Sequence, residues 1–227
     1  MTTTAFNLQP PSVPLGTSIQ QQVNLCIDDL VAALPDPKKL PADQRRGTIA
    51  RYTAVLEGNF IYWMTGAYLC VRSEAARSII LDNLLEEVRD SHPAMLRRFA
   101  LAAHAVPTDA DAMAVYRDLT RVRLFIGRLS GVPIVVMMAF FEGFIQKFMA
   151  FLAELAAGQG SAEREYTDVH GVCDIAHTEG LLRAIDAEIA LNPPEMSTNV
   201  MEGVEILSRL IRTILDPLPI ENGFKQV

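Results

Sequence analysis

Four histidines occur in the 227 residues: His92, His104, His170 and His177. Two of them flank an aspartate in the run HGVCDIAH, as His170, Asp174 and His177. On a helix turning about 100° per residue, offsets of four and seven residues come back to about 40° and −20°. All three side chains then leave one stripe of one helix. Two neutral imidazoles and a carboxylate on one face suit a first-row transition metal, iron above all. The plainer alternative is a solvated polar stripe, since short His/Asp patterns recur by accident.

A second group stands in VVMMAFFEGFIQKFMAF, where Glu142 is a lone carboxylate in an apolar run. Buried there unpaired it would be costly, so it must pair, protonate or bind metal. A structural ion pair is the competing reading. Gly143 beside it allows close approach to the backbone. The third group is NLLEEVRDSHP, residues 83–93, which supplies Glu86, Glu87 and His92. Offsets of five and six residues turn through about 140° and 240°, so neither glutamate shares a face with His92 on a regular helix. If both types of ligand serve one site, the helix must be distorted here, by a π-bulge, a 3₁₀ turn or unwinding just before Pro93. One of the two glutamates is then free to pair with Arg89.

Other residues are candidates of a lesser kind. Glu57, in YTAVLEGNFIYWM, is able to join a metal, hold a substrate amine or pair with an arginine. Arg121, Arg123 and Arg128 lie along one helix and are able to grip a substrate carboxylate. A solvated charged face is the plainer reading of those arginines. His104 reads as a packed or surface histidine. Cys173 points a quarter-turn or more off the stripe of His170, Asp174 and His177 and reads as structural.

These groups need elements to hold them, and the chain reads as helices throughout. A first helix is expected from about Ser18 to Ala33, ended by Pro35-Asp36-Pro37. A long second helix starts near Pro41 and runs to about Val71. The third opens at Ser73 and is interrupted or restarted at Pro93, and Pro107-Thr108-Asp109 marks the next break. A fourth helix ends at Ser130-Gly131. The apolar fifth runs from there to about Ala157, and the sixth carries HGVCDIAH as far as Asn192-Pro193-Pro194. The last helix precedes a proline-rich tail. No period-2 strand pattern and no repeat is found. Seven helices of this length with short breaks predict an all-α, single seven-helix bundle, with a loose arm over residues 1–16 and one helical domain over 17–227.

Composition narrows the function. Half of the residues are hydrophobic and 21% are charged, the balance of a compact chain able to bury a sizeable core. The formal net charge of −7, without any basic run, gives no electrostatic help toward nucleic acid or anionic lipid. Three scattered cysteines supply neither a disulfide framework nor a CxxC zinc pair. The first residues, MTTTAFNLQPPSVPLG, lack a secretory signal pattern. A cytoplasmic location is the expectation. The run from Gly131 to Leu152 is apolar enough to prompt a membrane check. Glu142, Gln146 and Lys147 inside it favour a buried core helix.

Three carboxylates and three histidines on three helices are the materials of a carboxylate-bridged diiron centre in a helical bundle. The ExxH pair of ferritin-like proteins is absent. The pattern instead resembles the haem-oxygenase-like diiron oxidases and oxygenases. That family has an NLxDE-like segment followed by a histidine, a single buried glutamate, and an H-x3-D-x2-H motif, in this order. Here these are Asn83-Leu84-Leu85-Glu86-Glu87 with His92, then Glu142, then His170, Asp174 and His177. The glutamate-to-histidine spacing is shorter than is usual in the family, and alignment on the asparagine favours Glu87 over Glu86. The resemblance implies two iron ions held by Glu87, His92, Glu142, His170, Asp174 and His177, with dioxygen as co-substrate. It implies oxidation of a small amine-bearing metabolite, an amino acid or derivative, by N-oxygenation, desaturation, carbon–carbon cleavage or nitrile formation. The alternatives are a fatty-acid-type oxidative decarboxylase, a metal-free cofactor-precursor hydrolase on the same fold, and a non-enzymatic metal-binding protein. The partners expected are a small-molecule substrate, with a homodimer left open, and neither nucleic acid nor membrane.

Overall fold

A computed structural model describes residues 17–217. The expected arm over residues 1–16 and most of the proline-rich tail lie outside the described residues. Nine helices and no strand are present among the described residues: α1 (Ile19–Ala32), α2 (Ala42–Leu56), α3 (Asn59–Cys70), α4 (Glu74–Arg89), α5 (His92–Ala102), α6 (Asp109–Ile126), α7 (Val132–Ala157), α8 (Glu165–Leu191) and α9 (Glu202–Leu215). The all-helical expectation holds, and the seven expected helices become nine because two of them break. The expected second helix divides at Gly58, which takes a left-handed conformation at φ 78° that a residue with a Cβ seldom adopts. The third divides at Ser91, at φ 58° and ψ 38°, and α5 starts on the next residue with Pro93 in its first turn.

Local chemistry explains most starts. Ser18 with Gln21 and Thr108 with Asp111 form reciprocal capping boxes at α1 and α6. Ser73 caps α4. The backbone N–H groups of Arg72 and Ser73 donate to Oε2 of the fully buried Glu188, each at 2.8 Å. That bond ties the start of α4 to α8.

The bundle is organised around α7. Every residue from Val132 to Ile145 is buried, and α7 packs against α8, α1, α9, α2, α3 and α5. It is long and apolar enough to cross a membrane, but 83% of its most apolar window is buried inside the bundle. The closest partner of α7 is α8, and Gly143 is one reason. A Cβ there would meet Ile27 Cδ1 at 2.8 Å and Thr178 Cγ2 at 3.3 Å. The missing side chain lets α1 and α8 approach beside Glu142. With α4 and α5 also packed on α8, the three helical segments singled out in the sequence converge.

Candidate metal centre

The break at Asp90 and Ser91 does what the angular mismatch requires. With α4 ended and α5 restarted at a new angle, His92 Nδ1 lies 2.7 Å from Glu87 Oε1, and both residues are buried. The Glu87 side chain is 5% exposed. That of Glu86 is 36% exposed, and its Oε2 lies 3.3 Å from His177 Nε2. His170 comes in from α8, with its ring centroid 4.5 Å from that of His92. One ligand atom each from Glu87, His92 and His170 lie within 4.8 Å of one another. His170 Nδ1 bonds the Tyr166 carbonyl oxygen at 2.8 Å, and Nε2 faces Glu87 Oε1 at 3.9 Å. As the donor in that bond, Nδ1 carries the proton and leaves the Nε2 lone pair for a metal.

A second group adjoins the first. Asp174 and His177 follow on the same face of α8, and His177 Nδ1 lies 3.7 Å from Asp174 Oδ1 and 3.8 Å from Glu142 Oε2. Glu142 Oε1 accepts a bond of 3.2 Å from Asn83 Nδ2, which fixes that carboxylate toward α8. Cys173 belongs here too. Its Sγ lies 3.2 Å from Asp174 Oδ1, and ligand atoms of Cys173, Asp174 and His177 lie within 4.8 Å of one another.

The electrostatics are those of a site built for cations. Glu87, Glu142 and Asp174 are all buried, and among the described residues only histidines form ion pairs with them. Burial, then the charge of Glu142, pushes the Asp174 carboxyl up to about 8. Burial also raises Glu87, with His92 working against it. Burial and the nearby His92 depress His170 to about 4, so its imidazole is neutral at pH 7. At His177, burial opposes the charged form, but Asp174, Glu142 and Glu86 outweigh it and raise the ring to about 11. The same contest at His92 goes to Glu87, and its pKa rises. Asp174 Oδ2 and His177 Nδ1 are buried without any hydrogen-bond partner. Such orphaned atoms cost free energy unless a ligand satisfies them, and a carboxylate oxygen and an imidazole nitrogen are what iron takes. The donor set fits a metal pair.

A family model described as iron-containing redox enzyme matches residues 49–211, more than two thirds of the chain. The chain belongs to that family. Comparison with curated proteins and with solved structures gave no match. The matched span of this haem-oxygenase-like redox enzyme contains all three ligand-bearing segments.

The remaining sequence candidates stand elsewhere. Glu57 ends α2 and pairs with Arg97 of α5 at the surface, the ion-pair alternative for that residue. Arg121 pairs with Asp118, 2.6 Å away on its own helix. Arg128 pairs with Glu202 and lies over the Phe125 ring. Arg121 is on α6 and Arg128 follows its end, and α6 packs chiefly on α9, α2 and α3. Neither arginine, nor Glu57, lines the cavity beside the ligands. His104 is exposed in the turn after α5.

That cavity has a volume of about 30 Å³, room for about two water molecules. Five of its lining residues are Glu87, His92, Glu142, His170 and Asp174. The rest are apolar or aromatic, among them Leu56, Phe60, Ile61, Leu96, Phe141 and Tyr166. The Tyr166 hydroxyl is already engaged, 2.7 Å from that of the buried Tyr52. Sequence reasoning missed Asn83 as the holder of Glu142, and it missed Cys173. The signal for Cys173 was its spacing of four residues from His177, which puts the two on one face.

Proposed function

We propose that this redox enzyme is a non-haem diiron oxidase or oxygenase that spends dioxygen on a small metabolite. The observation that carries the reading is the buried cluster of Glu87, Glu142 and Asp174 with three histidines and no lysine or arginine to neutralise it. Glu87, His92 and His170 would hold one iron, and Asp174 and His177 the other. Glu142 lies within reach of His177 and is tethered by Asn83, and it lines the same cavity as Glu87, His92 and His170, so it would lie beside both irons. Iron held by these residues would supply electrons to dioxygen, and their carboxylate-rich set would favour its ferric state. A metal-free hydrolase has no use for such a cluster.

The chain's own side chains do the rest. Neutral His170, held by the Tyr166 carbonyl, presents one fixed nitrogen. The apolar wall of Leu56, Phe60, Leu96 and Phe141 keeps water from the reacting atoms and receives a hydrocarbon part of the substrate. Within the cavity no charged side chain is left over from the ligand set to grip an ammonium or carboxylate group. We therefore favour an amine-bearing substrate, an amino acid or derivative, that enters by an apolar side chain and keeps its charged end outside. The apolar lining also keeps a second reading open, a fatty-acid-type oxidative decarboxylase.

The test is anaerobic loading with Fe(II), then exposure to oxygen with a panel of apolar amino acids, their amines and fatty acids. Oxygen uptake coupled to loss of one panel member by mass spectrometry is expected. Iron oxidation that no panel member accelerates or is consumed by would point to a metal-binding role instead.

A further inference from the structure

The second metal position contains a thiol. Cys173 and His177 are four residues apart on α8, about 40° apart around the helix and one turn along it. The Cys173 Sγ turns toward Asp174, donating to Oδ1 at 3.2 Å. Ligand atoms of Cys173, Asp174 and His177 fall within 4.8 Å of one another. Two of these three residues carry a buried polar atom without a partner, Asp174 Oδ2 and His177 Nδ1. The other cysteines have no such setting. The Cys70 thiol faces the backbone carbonyl oxygens of Ala67 and Gly131, and Cys26 packs against the apolar core from α1.

We propose that Cys173 is a thiolate ligand of the second metal position, where it completes a sulfur, oxygen and nitrogen set with Asp174 and His177. The inference rests on the two-metal reading above and adds to it a ligand of another chemical kind. When a divalent ion enters, the protons held on the ligand atoms of Cys173, Asp174 and His177 leave to water, and the freed sulfur, oxygen and nitrogen electron pairs are donated to the ion. No electron is transferred. Asp174 Oδ1 loses the S–H donor and becomes free to ligate. A cation beside the sulfur compensates the burial and the negative neighbours that keep the thiol protonated in the metal-free chain. The consequence is selectivity. The first position offers oxygen and nitrogen only. The second adds a soft donor and should prefer Fe(II), Co(II) or Zn(II) to Mn(II) or Mg(II). Cys173 is only half-buried, so an ion bound there also shields a thiol that solvent reaches.

The experiment is an anaerobic Co(II) titration of the full chain, followed by absorption, with alkylation by iodoacetamide read out per cysteine by mass spectrometry. The expected result is two cobalt ions per chain, one of them with a sulfur-to-cobalt charge-transfer band. Metal should slow alkylation of Cys173 and leave that of Cys26 and Cys70 unchanged. Cys173→Ser should abolish the band and weaken the second position by at least about tenfold, the lower end of what even outer-shell partners cost. The first position should titrate as before. Two bound cobalt ions without the band overturn the thiolate ligand and leave the two-metal reading standing. A single cobalt without the band overturns both. If Cys173→Ser does not fold, alkylation of the parent decides: equal rates with and without metal overturn the proposal.

Discussion

Asp174→Asn separates what the site costs the fold from what it gains with metal. Asp174 is fully buried, and its carboxyl is raised from 3.8 to about 8, first by burial and then by Glu142. Between those values the folded chain holds a proton that the unfolded chain has released. Stability of the metal-free protein therefore falls as pH rises from about 4 to about 8. At pH 7 roughly three of the four units have been traversed, an upper bound of about 4 kcal/mol at 1.36 kcal/mol per unit. Asparagine is a neutral isostere, keeps an oxygen for the Cys173 thiol and escapes this penalty. It also removes the fraction of Asp174 that is ionised beside His177 at pH 7, which returns part of the gain. The expected net effect without metal is a stabilisation of about 1–3 kcal/mol at pH 7, or a melting temperature roughly 3–10 °C higher. The difference should shrink toward zero as pH approaches 4. With metal the order reverses. An ion at 100 times its dissociation constant stabilises the parent by about 2.7 kcal/mol per site, and the variant should lose that response at the second position. Thermal melts of chelated and Co(II)-loaded protein from pH 4 to 8 measure both halves. A chelated variant that melts below the parent at pH 7, or equal metal-induced shifts in the two proteins, would refute the reasoning.

Glu87→Ala should lower iron loading far more than Glu86→Ala, because only Glu87 is buried against His92 and His170; iron per chain by mass spectrometry gives the ranking, and the reverse order would move the ligand to Glu86. His170→Ala should leave the helical circular dichroism unchanged while about one iron per chain is lost, and full loading of this variant would remove His170 from the site. Glu188→Ala should destabilise by about 2–4 kcal/mol, since the Arg72 and Ser73 amides lose a charged acceptor, with iron stoichiometry unchanged in the folded fraction. Arg121→Ala and Arg128→Ala should alter substrate-coupled oxygen uptake less than twofold, because both side chains are engaged on α6 and α9; a large rise in KM in either would bring α6 back into substrate binding.

Periodicity along a single helix was enough to bring out part of the candidate centre. His170, Asp174 and His177 share a face by arithmetic alone. Glu142 stood out because a carboxylate in an apolar run must be compensated. The break before His92 followed from an angle that no straight helix provides, and the structure has it at Asp90 and Ser91. What the tertiary structure decided are relations between helices. That Asn83 reaches Glu142, that Glu57 turns outward to Arg97, and that Tyr166 meets Tyr52 depend on interhelical distances, which local turn geometry does not carry. Glu86 and Glu87 are neighbours with the same chemistry, and only the rotation of α4 against α8 buries one and leaves the other at the rim. Gly58 could be read as an ordinary helical residue, since glycine occurs inside helices as well as at their ends, until the packing of α2 and α3 on α7 required a left-handed turn there. The sequence by itself determined the helical class and the donor types, because both follow from residue chemistry and a repeat of about 3.6. Which donors meet, and what apolar wall faces them, was left to the packing of α4, α5 and α8 around α7.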